Sequence, residues 1–160
     1  MADDVIYSTL PRRLGAAAID GLIIGALIGF VALQQPGEGP QADWVGLLVL
    51  GSALSMFYRM VSEGSRLQGT PGKYLVGLKA VHTDGRTMMF VGSALRSWPW
   101  WLTGALGALV PSLMPAVGAL CVLALLPILW DEQRRGLHDR MAGTVVVSRD
   151  SVLAPPEPDV

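Results

Sequence analysis

The feature that most constrains the fold is a single carboxylate inside a long apolar run. Residues 12–30 read RRLGAAAIDGLIIGALIGF, so two arginines precede apolar and small residues that are interrupted by Asp20. The run continues to Leu33, and a helix of roughly 20 residues spans a hydrocarbon core about 30 Å thick. The pattern therefore predicts a membrane helix that carries one buried acid.

Asp20 needs a partner or a proton to be tolerated there. It lies about 10 Å along the helix from Arg13, on nearly the same face. Arginine can extend to the membrane surface, whereas the shorter aspartate cannot. An aspartate at mid-membrane costs about 2.5 to 3.5 kcal/mol on insertion scales, which the other residues of the span can offset. We expect Asp20 to fix helix packing, to bind a proton or cation, or to contact a partner subunit. Glu63, or an arginine from the middle loop or the C-terminal segment, can supply its pairing.

The composition agrees with a small integral membrane protein. Hydrophobic residues make up 51% of the 160 residues and charged residues 16%, which is unusually apolar for a soluble domain. The net charge of −1 gives no reason to expect nucleic acid as a partner. We therefore expect the lipid bilayer as the main partner.

Four apolar segments are predicted in the membrane. The first two, at about 14–33 and 44–61, flank a connector rich in Gly and Pro and should form an antiparallel hairpin. The stretch Trp98–Trp130 has no charged residue and is interrupted by prolines. We expect two short helices here, at about 91–110 and 115–130, or a re-entrant pair that turns back before the far side.

The basic residues favour one orientation. Two Lys or Arg residues precede the first segment, none lies between the first two, five lie between residues 62 and 97, and four follow Trp130. Basic loops stay on the cytoplasmic side. We therefore expect residues 1–11, the loop 62–90 and the C-terminus to be cytoplasmic. The membrane domain is expected at 12–149, followed by a disordered Pro-rich tail at 150–160.

The middle loop carries turn and strand signals. The sequence TPGK at Thr70–Lys73 suits a type II turn, with Pro at the second position and Gly at the third. Val76–His82 and Arg86–Phe90 flank an Asp-Gly pair and predict a β-hairpin. The β-branched segment Thr144–Ser148 can add a third strand. The predicted fold class is an all-α, polytopic membrane bundle of four segments with a small cytoplasmic β-hairpin.

The densest charge is DEQRRGLHDR at residues 131–140. Its simplest explanation is a solvated border of the membrane. Asp139 stands at a turn into the predicted strand, where it can order a basic pocket with Arg134 or Arg135. His138 is expected to titrate near physiological pH.

We find no pattern typical of catalysis or metal binding. The segment GSRLQGTPGKY lacks the first glycine and the Ser or Thr of a phosphate-binding loop. Cys121 is the one cysteine and lies in an apolar run, which leaves no disulfide or thiolate cluster within the chain. His82 and His138 have no ligand spacing. We expect no enzyme activity, no metal and no cofactor.

Three segments together resemble the RDD family of bacterial membrane proteins, named for an arginine and two aspartates: RLGAAAID, GTPGKYLVGLKAVHTDG and LHDRMAGTVVV. The resemblance covers about residues 12–147 and implies a multi-pass protein of the bacterial plasma membrane. It also implies a functional trio of Arg13, Asp20 and Asp139. The supporting positions that it implies are Gly72, Lys73, His138, Gly143 and Thr144.

Two functions are consistent with these residues. The first is cation/proton transport, which the resemblance also implies, with Asp20 as the binding group and the chain acting as a homo-oligomer or as a transporter component. The second is a non-catalytic accessory or assembly subunit of a larger membrane complex. Such a subunit can dock through the small residues Gly21, Gly25 and Gly29, which repeat along one stripe of the first helix.

Overall fold

The computed structural model describes residues 5–34, 44–151 and 153. The described chain is mostly helical, with two short strands and two 3-10 turns, at Pro111–Leu113 and Leu126–Leu129. The elements are α1 (Leu10–Leu33), α2 (Trp44–Gly64), α3 (Pro71–Leu75), β1 (Leu78–His82), α4 (Phe90–Arg96), α5 (Trp98–Leu109), α6 (Met114–Leu125), α7 (Leu137–Met141) and β2 (Thr144–Ser148).

Three segments of the described chain are long and apolar enough to cross a membrane: Leu10–Leu33, Val45–Gly64 and Pro111–Leu129. The first two agree with the first two predicted spans. The connector that was expected to break them, at 34–43, lies mostly outside the described residues. The protein therefore has the apolar helices of a membrane protein.

The predicted helix at 91–110 is two helices. α4 ends at Arg96, and α5 begins at Trp98 with Pro99 in its first turn. Proline cannot donate a backbone hydrogen bond and disfavours helical geometry in the residue before it, so the break falls here. α5 has 12 residues and is about 18 Å long, shorter than a hydrocarbon core of about 30 Å.

α5 and α6 pack against each other in antiparallel directions. Near the start of α5, the Pro99 carbonyl accepts a hydrogen bond from the Cys121 sulfur on α6 at 3.1 Å. At the other end of α5, Gly107 packs against Met114, the first residue of α6. The chain reverses at the Pro-containing segment between the two helices, which is where the sequence predicts the turn.

The small sheet differs from the predicted hairpin. β1 pairs antiparallel with β2, in a register that joins Leu78 to Ser148 and His82 to Thr144. The strand at Thr144–Ser148 is confirmed, whereas the strand predicted at Arg86–Phe90 is wrong. The turn is present, with the His82 N–H donating to the Arg86 carbonyl at 3.0 Å, but the chain then leaves the sheet and begins α4.

Packing of Met88 explains why the chain leaves the sheet after the turn. Met88 is 4% exposed and packs in a core cluster with Leu78, Ala80 and Val146. Burying a methionine side chain is worth about 1.5 to 3 kcal/mol. The segment after the turn therefore folds over one face of the sheet instead of extending its edge.

We call α3, β1, α7 and β2 together the cap. The N-terminal segment runs along β2, since the Ser8 N–H donates to the Val146 carbonyl and the Ser148 N–H to the Ile6 carbonyl, both at 2.9 Å. Of the predicted disordered tail, residues 152 and 154–160 lie outside the described residues. Leu153 packs against the second core cluster of the sheet.

The segment TPGK is a helix start and not the predicted type II turn. Thr70 is the N-cap of α3, and its hydroxyl accepts a hydrogen bond from the Lys73 N–H at 3.3 Å. Pro71 occupies the first turn, where its missing N–H costs nothing. Gly72 is required for another reason, because a Cβ there would lie 2.2 Å from the Ala16 carbonyl oxygen on α1.

We predict that Gly72→Ala destabilises the protein, although alanine is the better helix former. The added methyl group would overlap α1, and overpacking of this kind costs about 1 to 3 kcal/mol. Thermal melting in mild detergent measures the effect. Gly15→Ala on α1 is the control, because no atom lies within 4 Å of a Cβ at Gly15. Equal melting temperatures for the two variants would contradict the close packing of α1 and α3.

Candidate functional site

Buried charged side chains meet where the cap joins α1 and α2. We call them the charge cluster: the acids Asp20, Glu63 and Asp139, and the bases Arg13, Arg59, Lys73 and Arg96. Each acid is at most 2% exposed. A buried charge is costly unless it is paired and hydrogen-bonded. The partners of each group therefore determine what the cluster can do.

Asp20 is held by neutral donors from two other elements. Its Oδ1 accepts hydrogen bonds from the Tyr58 hydroxyl on α2 and from the Gly72 N–H on α3, both at 2.8 Å. Its Oδ2 accepts from the Thr70 hydroxyl at 2.6 Å. The expected partners, Glu63 or an arginine, do not bond to it. Asp20 thus joins α1 to α2 and to the cap.

Asp139 is the meeting point of two arginines. Arg13 Nη1 donates to Asp139 Oδ2 at 2.5 Å, and Arg96 Nε donates to Oδ1 at 2.7 Å. The Gly136 N–H also donates to Oδ2, at 3.1 Å. Burial alone would raise the pKa of Asp139, but Arg96 and Arg13 hold it well below its usual range. Asp139 is therefore an ionised carboxylate that ties α7 to α1 and α4.

Glu63 extends the same chain of ion pairs. Its Oε2 accepts from Arg96 Nη1 at 2.9 Å and from the Ser93 hydroxyl at 3.3 Å, while its Oε1 accepts from Lys73 Nζ. Burial and the neighbouring Arg96 lower the pKa of Lys73 to about 8, against the opposite effect of Glu63. A continuous series of ion pairs thus runs from Arg13 through Asp139, Arg96 and Glu63 to Lys73.

The fourth cation of the cluster, Arg59, is bound differently. It is 6% exposed, and its guanidinium carbon lies 4.6 Å from the centre of the Trp100 ring. None of the ion pairs among the described residues includes Arg59, and its Nε has no hydrogen-bond partner. A cavity of about 50 Å³, large enough for a few water molecules, lies between it and the rest of the cluster.

The basic residues predicted to surround Asp139 lie near it but do not form the predicted pocket. Arg135 pairs with Asp131 at 3.2 Å and not with Asp139. Arg134 contributes its backbone carbonyl, which accepts from Arg13 Nη2 at 2.6 Å. His138 Nε2 lies 3.4 Å from Asp139 Oδ1, but burial lowers the pKa of His138 to about 4. The imidazole is therefore neutral near pH 7, contrary to the expected titration there.

The last two predicted positions shape the entry into β2. Gly143 has a φ of 61°, in the left-handed region that glycine tolerates best. The Thr144 hydroxyl donates to the Asp139 carbonyl at 3.3 Å. Both positions help to orient α7 relative to the sheet, and the Thr144 side chain takes no part in the ion pairs.

Three members of the site, Arg59, Arg96 and Tyr58, were not predicted from the sequence. One signal was present, since Arg59 and Glu63 are spaced i, i+4 and share a helix face at the end of α2. Arg96 gave a weaker signal as a single cation at the end of an apolar helix. Over the part of the chain that the structure describes, no group of three or more His, Cys, Asp or Glu side chains could hold a metal ion.

We predict that Asp20→Leu lowers the melting temperature in detergent by roughly 5 to 10 °C. The substitution leaves three donors without an acceptor, and each unsatisfied buried group costs about 1 to 3 kcal/mol. Asp20→Asn should cost less, because the amide oxygen can still accept from Tyr58 and Gly72. Ala18→Leu, at an exposed position of α1, is the control. An Asp20→Leu protein as stable as the parent would show that these hydrogen bonds do not hold the cap.

We also predict an acid-sensitive stability that depends on His138. Its folded-state pKa lies below the ordinary value, so the unfolded chain takes up the proton first and stability falls as the pH drops from about 6.5 towards 4. Between pH 7.5 and pH 5 the loss is roughly 2 kcal/mol. His138→Gln should lose less over this range, and His82→Gln, at a side chain 43% exposed, should behave as the parent. Identical pH profiles for all three proteins would refute this assignment.

The comparisons with known proteins identify a family. A family model described as the RDD family matches residues 7–143. No curated protein and no solved structure matches the chain. The matched region contains α1 to α7 and all of the charge cluster. Because the match covers most of the chain, this protein belongs to the RDD family.

Proposed function

We propose that this protein is a non-catalytic accessory or assembly component of a larger membrane complex, in which the charge cluster holds a rigid cap on the membrane helices. The single observation that carries the proposal concerns the hydrogen bonds that the three acids accept. Every carboxylate oxygen of Asp20, Glu63 and Asp139 accepts at least one hydrogen bond from the protein. These donors are a well-matched set for holding elements together.

A site that binds and releases a cation needs oxygen ligands that are free to coordinate it. In the charge cluster, the acids face arginine, lysine, hydroxyl and amide donors. When all of its members are ionised, the cluster has one positive charge in excess. Both properties favour a structural role, in which the cluster holds the cap on the membrane helices, over a cation-binding centre.

The proposed orientation follows from the basic residues. Nine of the twelve Lys and Arg residues lie between residues 62 and 97 or after Trp130, which favours the cytoplasmic side of a bacterial plasma membrane for the cap. In this orientation the cap presents a cytoplasmic surface to a partner, while the apolar helix faces meet lipid or partner helices. Exposed apolar residues on the cap, such as Leu75 and Met141 at 69% each, are suited to a protein contact.

A second candidate function is proton-coupled cation transport, as one subunit of a transporter. The observation that favours it is the Lys73 ammonium group, whose pKa of about 8 allows it to exchange a proton near physiological pH. Lys73 lines the small cavity together with Asp20 and His138. This candidate requires the ion pair between Lys73 and Glu63 to open during each cycle.

Reconstitution into proton-tight vesicles distinguishes the two functions. We expect the chain alone to leave an imposed pH gradient intact when Na⁺, K⁺ or Li⁺ is added, with no difference between the parent and Lys73→Met. A cation-dependent proton flux in the parent that Lys73→Met abolishes would contradict the accessory proposal and establish transport. Size-exclusion profiles of both proteins before reconstitution control for misfolding.

Site-specific photo-crosslinking in native membranes tests the partner directly. A crosslinker at Met141, on the cap, is expected to yield one adduct of fixed mass with another protein. The matched position is Leu22, which is 75% exposed on α1 and should give lipid adducts. The absence of any protein adduct from several exposed cap positions would contradict the accessory proposal.

A further inference from the structure

We propose that the groove between α1, α2 and α5 binds an anionic phospholipid of the surrounding bilayer, whose phosphate pairs with Arg59. The groove has a volume of about 430 Å³, within the range of about 300 to 1,000 Å³ typical of ligand sites. It shares Ala17, Arg59 and Trp100 with the small cavity of the charge cluster. These three residues therefore mark its cap end, and the remainder of the groove extends along the membrane helices.

The walls of the groove suit an acyl chain. Apart from Arg59, Trp100 and two serines, the lining residues are aliphatic side chains and glycines. A Cβ at Gly21 or Gly25 would meet no atom of this chain within 4 Å, and both glycines are exposed. The groove is thus open on the side of α1 that faces the surroundings of the helices. In a membrane, those surroundings are lipid.

Arg59 supplies the charge for a headgroup. One face of its guanidinium rests on Trp100, an arrangement that leaves the in-plane N–H donors free for a planar or tetrahedral anion. An arginine inside a membrane segment normally pairs with an acid or faces a polar cavity. Arg59 is nine-tenths buried and lines both cavities.

The acids of the charge cluster do not neutralise Arg59 by contact. Asp20 accepts from Tyr58, Gly72 and Thr70, and Glu63 accepts from Lys73, Arg96 and Ser93. Among the described residues, Arg59 is therefore the cation of the cluster that has no acid in contact with it. A phosphodiester carries one negative charge, which matches the net charge of +1 on the ionised cluster, and basic pockets between membrane helices are known to bind such headgroups.

The experiment uses the full-length protein, purified in mild detergent and stripped of lipid. Binding is measured by native mass spectrometry and by thermal melting with phosphatidylglycerol, phosphatidylcholine, oleate or inorganic phosphate. We expect phosphatidylglycerol to bind at least about tenfold more tightly than phosphatidylcholine and to raise the melting temperature by several degrees. Arg59→Gln should weaken phosphatidylglycerol binding by at least about tenfold.

Two further variants separate binding from folding. Gly25→Leu keeps Arg59 but places a side chain in the groove, and it should abolish the lipid effect while the protein still melts cooperatively. Arg149→Gln is the matched control, because Arg149 also stacks on an aromatic ring, at 4.3 Å from the centre of Tyr74, but it lies outside the groove. This control should retain the parent's response to phosphatidylglycerol.

Several results would overturn the proposal. Phosphatidylglycerol binding that survives both Arg59→Gln and Gly25→Leu would exclude the groove. An equal response to oleate or to inorganic phosphate would identify a different anion. A crosslinker at Gly25 that captures a protein helix in native membranes, in place of lipid, would assign the groove to a partner. None of these results affects the cap crosslinks from Met141, so the accessory proposal is tested separately.

Discussion

Three carboxylates buried in one region need donors, and this requirement organises the whole chain. Asp20, Glu63 and Asp139 lie on α1, α2 and α7, and their donors come from these helices and from α3 and α4. Removing a single partner would leave a buried charge uncompensated, which costs about 3 to 5 kcal/mol for a buried pair. The cap and the membrane helices are therefore held together by hydrogen bonds and ion pairs, and the loss of any one of them is strongly destabilising.

The predicted trio of Arg13, Asp20 and Asp139 acquires a physical meaning in this arrangement. Arg13 pairs with Asp139 across 126 positions of sequence, and Asp20 holds the start of α3. Gly72 allows the backbones of α1 and α3 to approach closely. The residues that carry the resemblance in the sequence thus build the junction between the cap and the membrane helices. Arg59 forms none of the ion pairs of this junction among the described residues, and the lipid site is inferred from this unpaired cation.

The sequence predicted the features that depend on local pattern. The spans α1 and α2 follow from the length of their apolar runs, and the break between α5 and α6 follows from prolines. The pairing of β1 with β2 brings together segments more than sixty residues apart, and no local signal specifies it. The Asp-Gly pair correctly predicted a chain reversal. The segment after it does not form the predicted strand, because Met88 is buried over one face of the sheet. The partners of Asp20 were missed because they are neutral hydroxyl and amide groups, which carry no charge pattern to recognise.

Hydrogen–deuterium exchange of α3 in lipid nanodiscs measures how firmly the cap is held on α1. The Gly72 N–H donates to a fully buried carboxylate, so its exchange reports whether the cap is held on α1. We expect the peptide covering residues 70–76 to exchange as slowly as the peptide covering β2. Exchange of residues 70–76 at the rate of an open loop, while β2 stays protected, would contradict this expectation.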